Sequence, residues 1–244
     1  MTGAGMRVAV TREAGRNAKL AALLRARGAE PLEVPLIRFT PALTADGLRG
    51  VLRGPPGWLL LTSPQGARAL TALMGAARLQ RWQVAAVGEG TAQVLRGGGV
   101  PVVFVPERAE AAELGATLPA LPGERAVHLT SQRSHGTLKA VLEARGVGYE
   151  RAELYRTEAA PLLPEQVQVL RTAHAVALAS GSAAQALADA VGVHIPVAAL
   201  GTQTAQVARA LGFTRLVEAA APTLPALADA ALQAGRIPAP VSPD

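Results

Sequence analysis

Small polar residues follow several apolar stretches of the sequence, at places where a strand would lead into a helix. Backbone N–H groups and hydroxyls at helix starts bind carboxylates or phosphates, because the helix dipole favours negative charge there. The turns of this kind are Thr11-Arg12, Thr62-Ser63, Gly88-Glu89-Gly90-Thr91, Thr130-Ser131, Ser180-Gly181-Ser182 and Gly201-Thr202-Gln203-Thr204. The plainer alternative is ordinary N-capping, since serine and threonine are favoured caps in any α/β protein. So many turns on one side of parallel sheets favour a ligand site instead.

Familiar catalytic constellations are absent from the sequence. The chain has no cysteine, which excludes disulfides, thiol catalysis and iron–sulfur ligation. Its glycine run at 97–99 ends a helix instead of opening one, no Walker or HExxH sequence is present, and neither Ser63 nor Ser180 lies in a GxSxG elbow. The four histidines are far apart, so each is interpreted as structural or surface. An enzyme that works by hydrogen bonds and positioning, without metal or cofactor, or a binding module remains.

The net charge of +6 comes almost wholly from arginine. Nucleic-acid binding is disfavoured because the arginines are scattered and aromatic residues, at 3%, are few. An anionic small molecule gripped by a few arginines fits better, and a surface that only reflects biased composition is the remaining alternative. The start does not resemble a signal peptide, and no apolar run approaches the ~18 residues of a membrane span. We therefore expect a soluble, cytoplasmic protein that does not engage membranes.

Strands and helices that alternate along the chain must position these turns. Apolar runs predict extended segments at 7–10, 32–39, 58–62, 84–87, 102–105, 126–130, 151–155, 175–179, 197–200 and 216–217. Helical spacing predicts helices around 20–24 with Gly28 as C-cap, and at 67–74, 91–96, 138–145, 184–190 and 205–211. Pro31 and Pro35 confine the segment 32–39 to an edge or a connector. Alternation of this kind predicts the α/β class, with parallel sheets covered by helices on both faces.

The sequence also repeats itself at long range. Residues 61–70 match 178–187, 87–94 match 200–207, and 36–38 match 154–156, always about 115 residues apart. So long a period predicts a duplicated domain, hence two similar lobes and a cleft. Tyr155 aligns with Ile37, so a polar group replaces an apolar one. A phenol is ordinarily protonated at neutral pH and can donate to a leaving hydroxyl group; an ordinary strand tyrosine is the alternative.

These segments resemble the uroporphyrinogen-III synthase family. The similar stretches are Val10-Thr11-Arg12, residues 35–41, Leu61-Thr62-Ser63-Pro64, residues 87–92, residues 154–157 and residues 200–205, in the family's order. The resemblance implies two α/β lobes joined by a two-stranded β connector. It places a discontinuous first lobe at 1–34 and 158–234, the second lobe at 42–148, connecting strands at 35–41 and 149–157, and a frayed tail at 235–244.

The resemblance further implies a monomeric enzyme that cyclises hydroxymethylbilane with inversion of ring D and loss of water. The terminal hydroxyl leaves to give an azafulvene, and the substituted carbon of ring D attacks to form a spiro intermediate. Tyr155 matches the tyrosine that assists departure of the hydroxyl, and Thr204 matches an important threonine. The candidate substrate-binding residues are Arg12, Thr62, Ser63, Gly88, Thr91, Ser131, Arg133, Ser180, Ser182, Thr202 and Thr204.

This sequence departs from the family at two places. It has Ser134-His135 where many members have Gly-Arg, and Gln203-Thr204 where some have two threonines. A non-enzymatic two-lobed sensor for an anionic small molecule is the alternative function, because it would use the same turns.

Overall fold

The computed structural model describes residues 5–132 and 136–238, which form two compact units. One unit contains the described residues up to Phe39 and from Glu158 onward, and the other contains Thr40–Thr157. The strands are β1 Arg7–Val10, β2 Glu30–Glu33, β3 Ile37–Pro41, β4 Trp58–Leu61, β5 Gln83–Ala86, β6 Arg125–Ser131, β7 Gly148–Ala159, β8 Ala175–Leu178, β9 Val197–Ala199 and β10 Leu216–Glu218. The helices are α1 Ala18–Arg25, α2 Ala45–Val51, α3 Pro64–Leu73, α4 Glu89–Gly97, α5 Ala111–Thr117, α6 Thr137–Ala144, α7 Pro164–Thr172, α8 Gly181–Val191, α9 Thr202–Ala210 and α10 Leu224–Ala234.

The first unit is built on a sheet in the order β10-β9-β8-β1-β2, and its strand pairs are parallel. Successive side chains of a strand point to opposite faces. Val8 and Val10 accordingly pack with α1 and α10, whereas Ala9 joins the cluster of α8 and α9 on the other face. Both faces are therefore covered by helices, which explains why the strands are apolar throughout.

Most of the second sheet, whose strand order is β3-β7-β6-β4-β5, belongs to the second unit. Strands β4, β5, β6 and β7 pair in parallel, and Phe104 adds one parallel bridge to Ala85 beside β5. One face is covered by α5 and α6, whose leucines bury Trp58, Leu60 and Ala126. Because the strands are parallel, their carboxyl ends meet at one edge, where the polar turns are placed.

The α/β class and the mainly parallel pairing of both sheets confirm the prediction. The segment 32–39 is two strands, not one extended stretch: β2, which contains Pro31, lies at the edge of the first sheet, and β3 lies at the edge of the second. The strand predicted at 102–105 is wrong, since only the bridge at Phe104 forms there. Helix α1 ends at Arg25, and Gly28 follows it with a φ of +80°.

Helices α2, α5, α7 and α10 were not predicted from the sequence, because their apolar positions are few or mostly alanine. The predicted tail from Gly235 begins at the C-cap of α10, and residues 239–244 lie outside the described part. Over that described part, every helix is too short or too polar to cross a bilayer.

Candidate active site

Ser63 and Tyr155 come together at the carboxyl edge of the second sheet. Ser63 follows β4 and is the N-cap of α3, where its Oγ accepts a hydrogen bond from the Gly66 N–H at 2.9 Å. The same Oγ lies 3.0 Å from the phenolic oxygen of Tyr155 on β7. Since a serine hydroxyl has one hydrogen and two lone pairs, Ser63 can cap the helix and still hold the phenol in place.

A register shift in the sheet aims Tyr155 at this serine. Along β6 and β7 the pairs run in step until Thr130 faces Glu153, and then Ser131 faces Tyr155, which leaves Leu154 as an extra residue on β7. An extra residue of this kind turns the following side chains to the opposite face of the sheet. The bulge therefore directs Tyr155 toward Ser63.

Gly66 allows α3 to begin close to the sheet. A Cβ at this position would lie 3.2 Å from Ser63 Oγ and 3.4 Å from the carbonyl oxygen of Leu129 on β6. A larger residue would therefore press the first turn of α3 away from β6. The glycine thus helps to keep Ser63 within reach of Tyr155.

A second hydrogen-bond network extends from Thr62 into the interior of the same unit. Thr62 Oγ1 lies 2.8 Å from His128 Nε2, and His128 Nδ1 lies 2.8 Å from the hydroxyl of Tyr149. Burial, with a smaller effect from the charge of Arg151, lowers the pKa of His128 to about 4. Burial also raises the pKa of Tyr149. Near pH 7 His128 is therefore neutral, with one ring nitrogen donating and the other accepting.

The other candidates of the second unit are placed differently from one another. Ser131 ends β6 opposite Tyr155, and its carbonyl accepts a hydrogen bond from Arg151 at 2.7 Å. Gly88 is the N-cap of α4, and a Cβ there would lie 2.7 Å from the Cβ of Ala109. Close packing thus explains this glycine without any ligand. The Thr91 side chain is buried, and Arg133 lies outside the described residues, as do Ser134 and His135.

In the first unit, Arg12 lies in a turn held together by a buried asparagine. The amide of Asn17 accepts a hydrogen bond from the Arg12 N–H and donates one to the Arg12 carbonyl, each at 3.1 Å. Arg12 Nη1 also donates to the carbonyl of Arg16. Burial, helped by the neighbouring charge of Arg16, lowers the pKa of Arg12. The guanidinium is therefore held in place and would gain from an anionic partner.

Ser180 and the Gly201 turn follow neighbouring strands of the first sheet. Ser180 caps α8 and accepts a hydrogen bond from the Ala183 N–H at 3.3 Å, and Ser182 lies in the first turn. Gly201 caps α9 without a side-chain bond, which leaves the N–H groups of that turn without a capping side chain. Thr202 Oγ1 donates to Glu218 at 2.6 Å, and Thr204 is buried within the helix.

The sequence alone did not single out His128, Tyr149, Asn17 and Glu218 as neighbours of the candidate residues. His128 was interpreted as structural or surface, and it is buried. A histidine in an otherwise apolar strand was the one available signal for the Thr62 network. Tyr149 and Glu218 have hydrogen-bond partners in distant parts of the sequence, and Asn17 has its partner in a turn without periodicity.

Comparisons with known proteins agree with one another. Residues 18–229 match the model of the family described as uroporphyrinogen-III synthase HemD. A curated rice protein (Oryza sativa subsp. japonica), named uroporphyrinogen-III synthase, chloroplastic, is 30% identical over 246 aligned positions, which cover 94% of this chain and 80% of the rice protein.

Two solved structures share the fold. Uroporphyrinogen-III synthetase from Helicobacter pylori matches 93% of this chain and 99% of its own with a TM-score of 0.67 at 18% identity. A mutant uroporphyrinogen III synthase from Thermus thermophilus matches 94% of this chain and 98% of its own with a TM-score of 0.59 at 20% identity.

Proposed function

This chain belongs to the uroporphyrinogen-III synthase family, and we propose that it cyclises hydroxymethylbilane to the isomer in which ring D is inverted. Family membership supports the overall reaction. The observation that supports a place for the chemistry is the 3.0 Å approach of Tyr155 Oη to Ser63 Oγ at the carboxyl edge of a parallel sheet. Ligands of such sheets bind beyond that edge.

We propose that Tyr155 donates a proton to the terminal hydroxyl of the bilane, so that it departs as water. The C–O bond breaks, and the electrons of the adjacent pyrrole form the azafulvene. Ser63, fixed as the cap of α3, donates to the phenolic oxygen and stabilises the negative charge that develops there. The proton released when the macrocycle closes and its pyrrole regains aromaticity can return to Tyr155. The cycle then needs no external acid.

The substrate carboxylates are assigned to helix starts and to Arg12. The first turns of α3, α8 and α9 contain no acidic residue, whereas α4 begins with Glu89. A carboxylate bound at α4 would be repelled by Glu89, even though Glu89 pairs with Arg96 at 2.8 Å. We therefore favour Ser63, Ser180, Ser182, Arg12 and the backbone N–H of Thr202, whose hydroxyl is already bonded to Glu218, over Gly88 and Thr91 as contacts. Thr204 supports the α9 turn from within.

The family's activity makes a two-lobed sensor the less favoured function, but the turns would serve it equally well. We also propose that the protein is a cytoplasmic monomer that does not bind nucleic acid. The dispersed arginines argue against nucleic-acid binding, and the absence of cysteine fits the cytoplasm. The rice relative is named as chloroplastic.

The decisive experiment supplies purified protein with hydroxymethylbilane and separates the products after oxidation. The proposal predicts that the type III isomer predominates over the type I isomer that forms when the bilane closes unaided. Type I product alone at every protein concentration would contradict it. Tight binding of the bilane together with type I product alone would identify the sensor.

A further inference from the structure

An arginine-lined cavity of about 530 Å³ opens at the opposite edge of the second sheet from the candidate active site. Its lining includes the residues just before Gln83, which begins β5, and those shortly before Trp58, which begins β4. Ser63 and Gly88 follow the other ends of the same strands. Four strand residues at about 3.3 Å each separate the two edges, so the cavity is not part of the site around Tyr155.

The charge of the cavity wall is strongly unbalanced. Four arginines and one aspartate line it, namely Arg49, Arg53, Arg78, Arg81 and Asp46. Asp46 pairs with Arg49 on the same turn of α2. Over residues 5–132 and 136–238, no carboxylate forms an ion pair with the remaining three arginines. The cavity therefore presents three uncompensated guanidinium groups to a ligand.

The floor of the cavity is apolar. Met74 and Trp82, which are 6% and 8% exposed, form it, and the more exposed Leu52 and Pro56 add apolar lining. An apolar floor beneath a cationic rim fits a molecule whose body is apolar or aromatic and whose charges lie at its periphery. Cavities of roughly 300–1,000 Å³ accommodate small organic ligands, so the volume suits such a molecule.

Arg125 holds the wall formed by the end of α2 and by Trp82 in place before any ligand binds. Its guanidinium donates to the carbonyls of Val51 at 2.7 Å and Arg53 at 3.1 Å, forms an ion pair with Glu150 at 2.7 Å, and lies 5.3 Å from the ring centroid of Trp82. These bonds also neutralise carbonyls at the C-terminal end of α2, which would otherwise repel an anion. A wall that is already ordered loses little entropy when a ligand binds.

We propose that this cavity is a binding site for a small polyanion, an apolar or aromatic body that carries two or more carboxylates or phosphates. Arginine binds both groups through paired N–H donors. Polycarboxylated aromatic compounds and nucleotides share this chemistry. The proposal goes beyond the cyclisation reaction, because Tyr155 and Ser63 take no part in the site.

Titration calorimetry and tryptophan emission test the site. The probes are benzene-1,3,5-tricarboxylate and ATP, with benzoate as the single-charge control. The chain has two tryptophans, of which Trp82 lines the cavity. We expect saturable binding of at least one polyanion with a change in emission, weaker binding of benzoate, and affinity that falls as salt rises. The probe that binds distinguishes a carboxylate from a phosphate ligand.

The double substitution Arg78→Ala/Arg81→Ala localises the binding. It should weaken the affinity for the polyanion by roughly tenfold or more, since two charge-assisted hydrogen bonds are lost. The control Arg25→Ala/Arg171→Ala removes two exposed arginines from helix ends of the first unit and should leave affinity unchanged. Turnover of the bilane without added polyanion should be the same in both variants. Absence of saturable binding by both probes, or equal affinity in the cavity variant and the control, would overturn the proposal.

Discussion

Ser63 and Ser180 hold equivalent places in the two sheets, but only one of them meets a phenol. Each follows a buried strand and caps the next helix by accepting an N–H three residues on. Ser63 also lies beside Tyr155, whereas the residue aligned with Tyr155 in the other unit is Ile37, which packs into the apolar cluster of the first unit. Similar turns therefore provide similar helix starts, and a single neighbouring strand, β7, decides which turn lies beside the phenol that we propose as the proton donor.

The two glycine-capped helices, α4 and α9, differ from each other less than the two serine-capped turns do. In α4, Arg96 pairs with Glu89, and in α9, Arg209 pairs with Glu218 at 3.3 Å. Glu89 belongs to the first turn of its helix, whereas Glu218 reaches the α9 start from β10 through Thr202. The sheets also place equivalent strands in the same order, if β4, β5, β6 and β7 are matched with β8, β9, β1 and β2. We propose on these grounds that the units arose by duplication and then diverged at Tyr155.

The largest expected effect comes from Tyr155→Phe, which removes the group that distinguishes the units. We expect kcat to fall by at least about 100-fold, because general acid catalysis contributes on that order. The ring still fills its place, so the thermal midpoint should stay close to that of the unchanged protein. Stopped-time product analysis measures the rate. A turnover number within twofold of the original would remove Tyr155 from catalysis.

Acid should destabilise the second unit through His128, which has no counterpart in the first. The pKa of His128 is lowered to about 4 by burial, so the unfolded chain binds this proton more readily than the folded one. The contribution of neutral His128 to the free energy of unfolding is fully present above about pH 6.5. It is lost as the pH falls toward 4, and amounts to about 3 kcal/mol at most. The free energy of unfolding, measured by chemical denaturation at several pH values across this range, should fall more steeply with decreasing pH for the original protein than for His128→Gln. Parallel slopes would show that His128 does not titrate as described.

The two caps should matter equally for stability. Ser63→Ala and Ser180→Ala each remove one side-chain bond to a first-turn N–H, and each should cost about 1 kcal/mol. Urea denaturation of both variants measures this. A loss at Ser63 that is several times larger would mean that the contact with Tyr155 stabilises the fold, and not mainly the reaction.

The smallest effect is expected at Glu218. Hydrogen bonding from Thr202, supported by Arg209, lowers the pKa of Glu218, so it is charged at neutral pH close to the start of α9. Replacing Glu218 by glutamine should lower KM for the carboxylate-rich bilane roughly twofold to threefold at low salt, with kcat unchanged. Glu89→Gln is the matched change at α4. If it lowers KM more than Glu218→Gln does, α4 is the better anion site.

Much of the fold follows from the sequence because the strands are short apolar runs with helical spacing between them. The order of Thr62, Ser63, Ser180 and Gly201 after their strands was predictable for the same reason. The approach of Tyr155 to Ser63 was not, because it depends on a one-residue register shift between β6 and β7. The pairing of Thr62 with His128 depends on strand neighbours far apart in sequence. Short helices such as α2 and α5 form through packing and not through propensity.

The most direct test of the difference between the units is the turnover of Ser63→Ala and Ser180→Ala, measured side by side with saturating hydroxymethylbilane. Both variants should be equally folded. We predict that kcat falls roughly tenfold in Ser63→Ala, because the hydrogen bond that positions Tyr155 is lost, and stays within twofold in Ser180→Ala. Equal losses of kcat in the two variants, or a larger loss in Ser180→Ala, would contradict the assignment of the chemistry to the Ser63–Tyr155 pair.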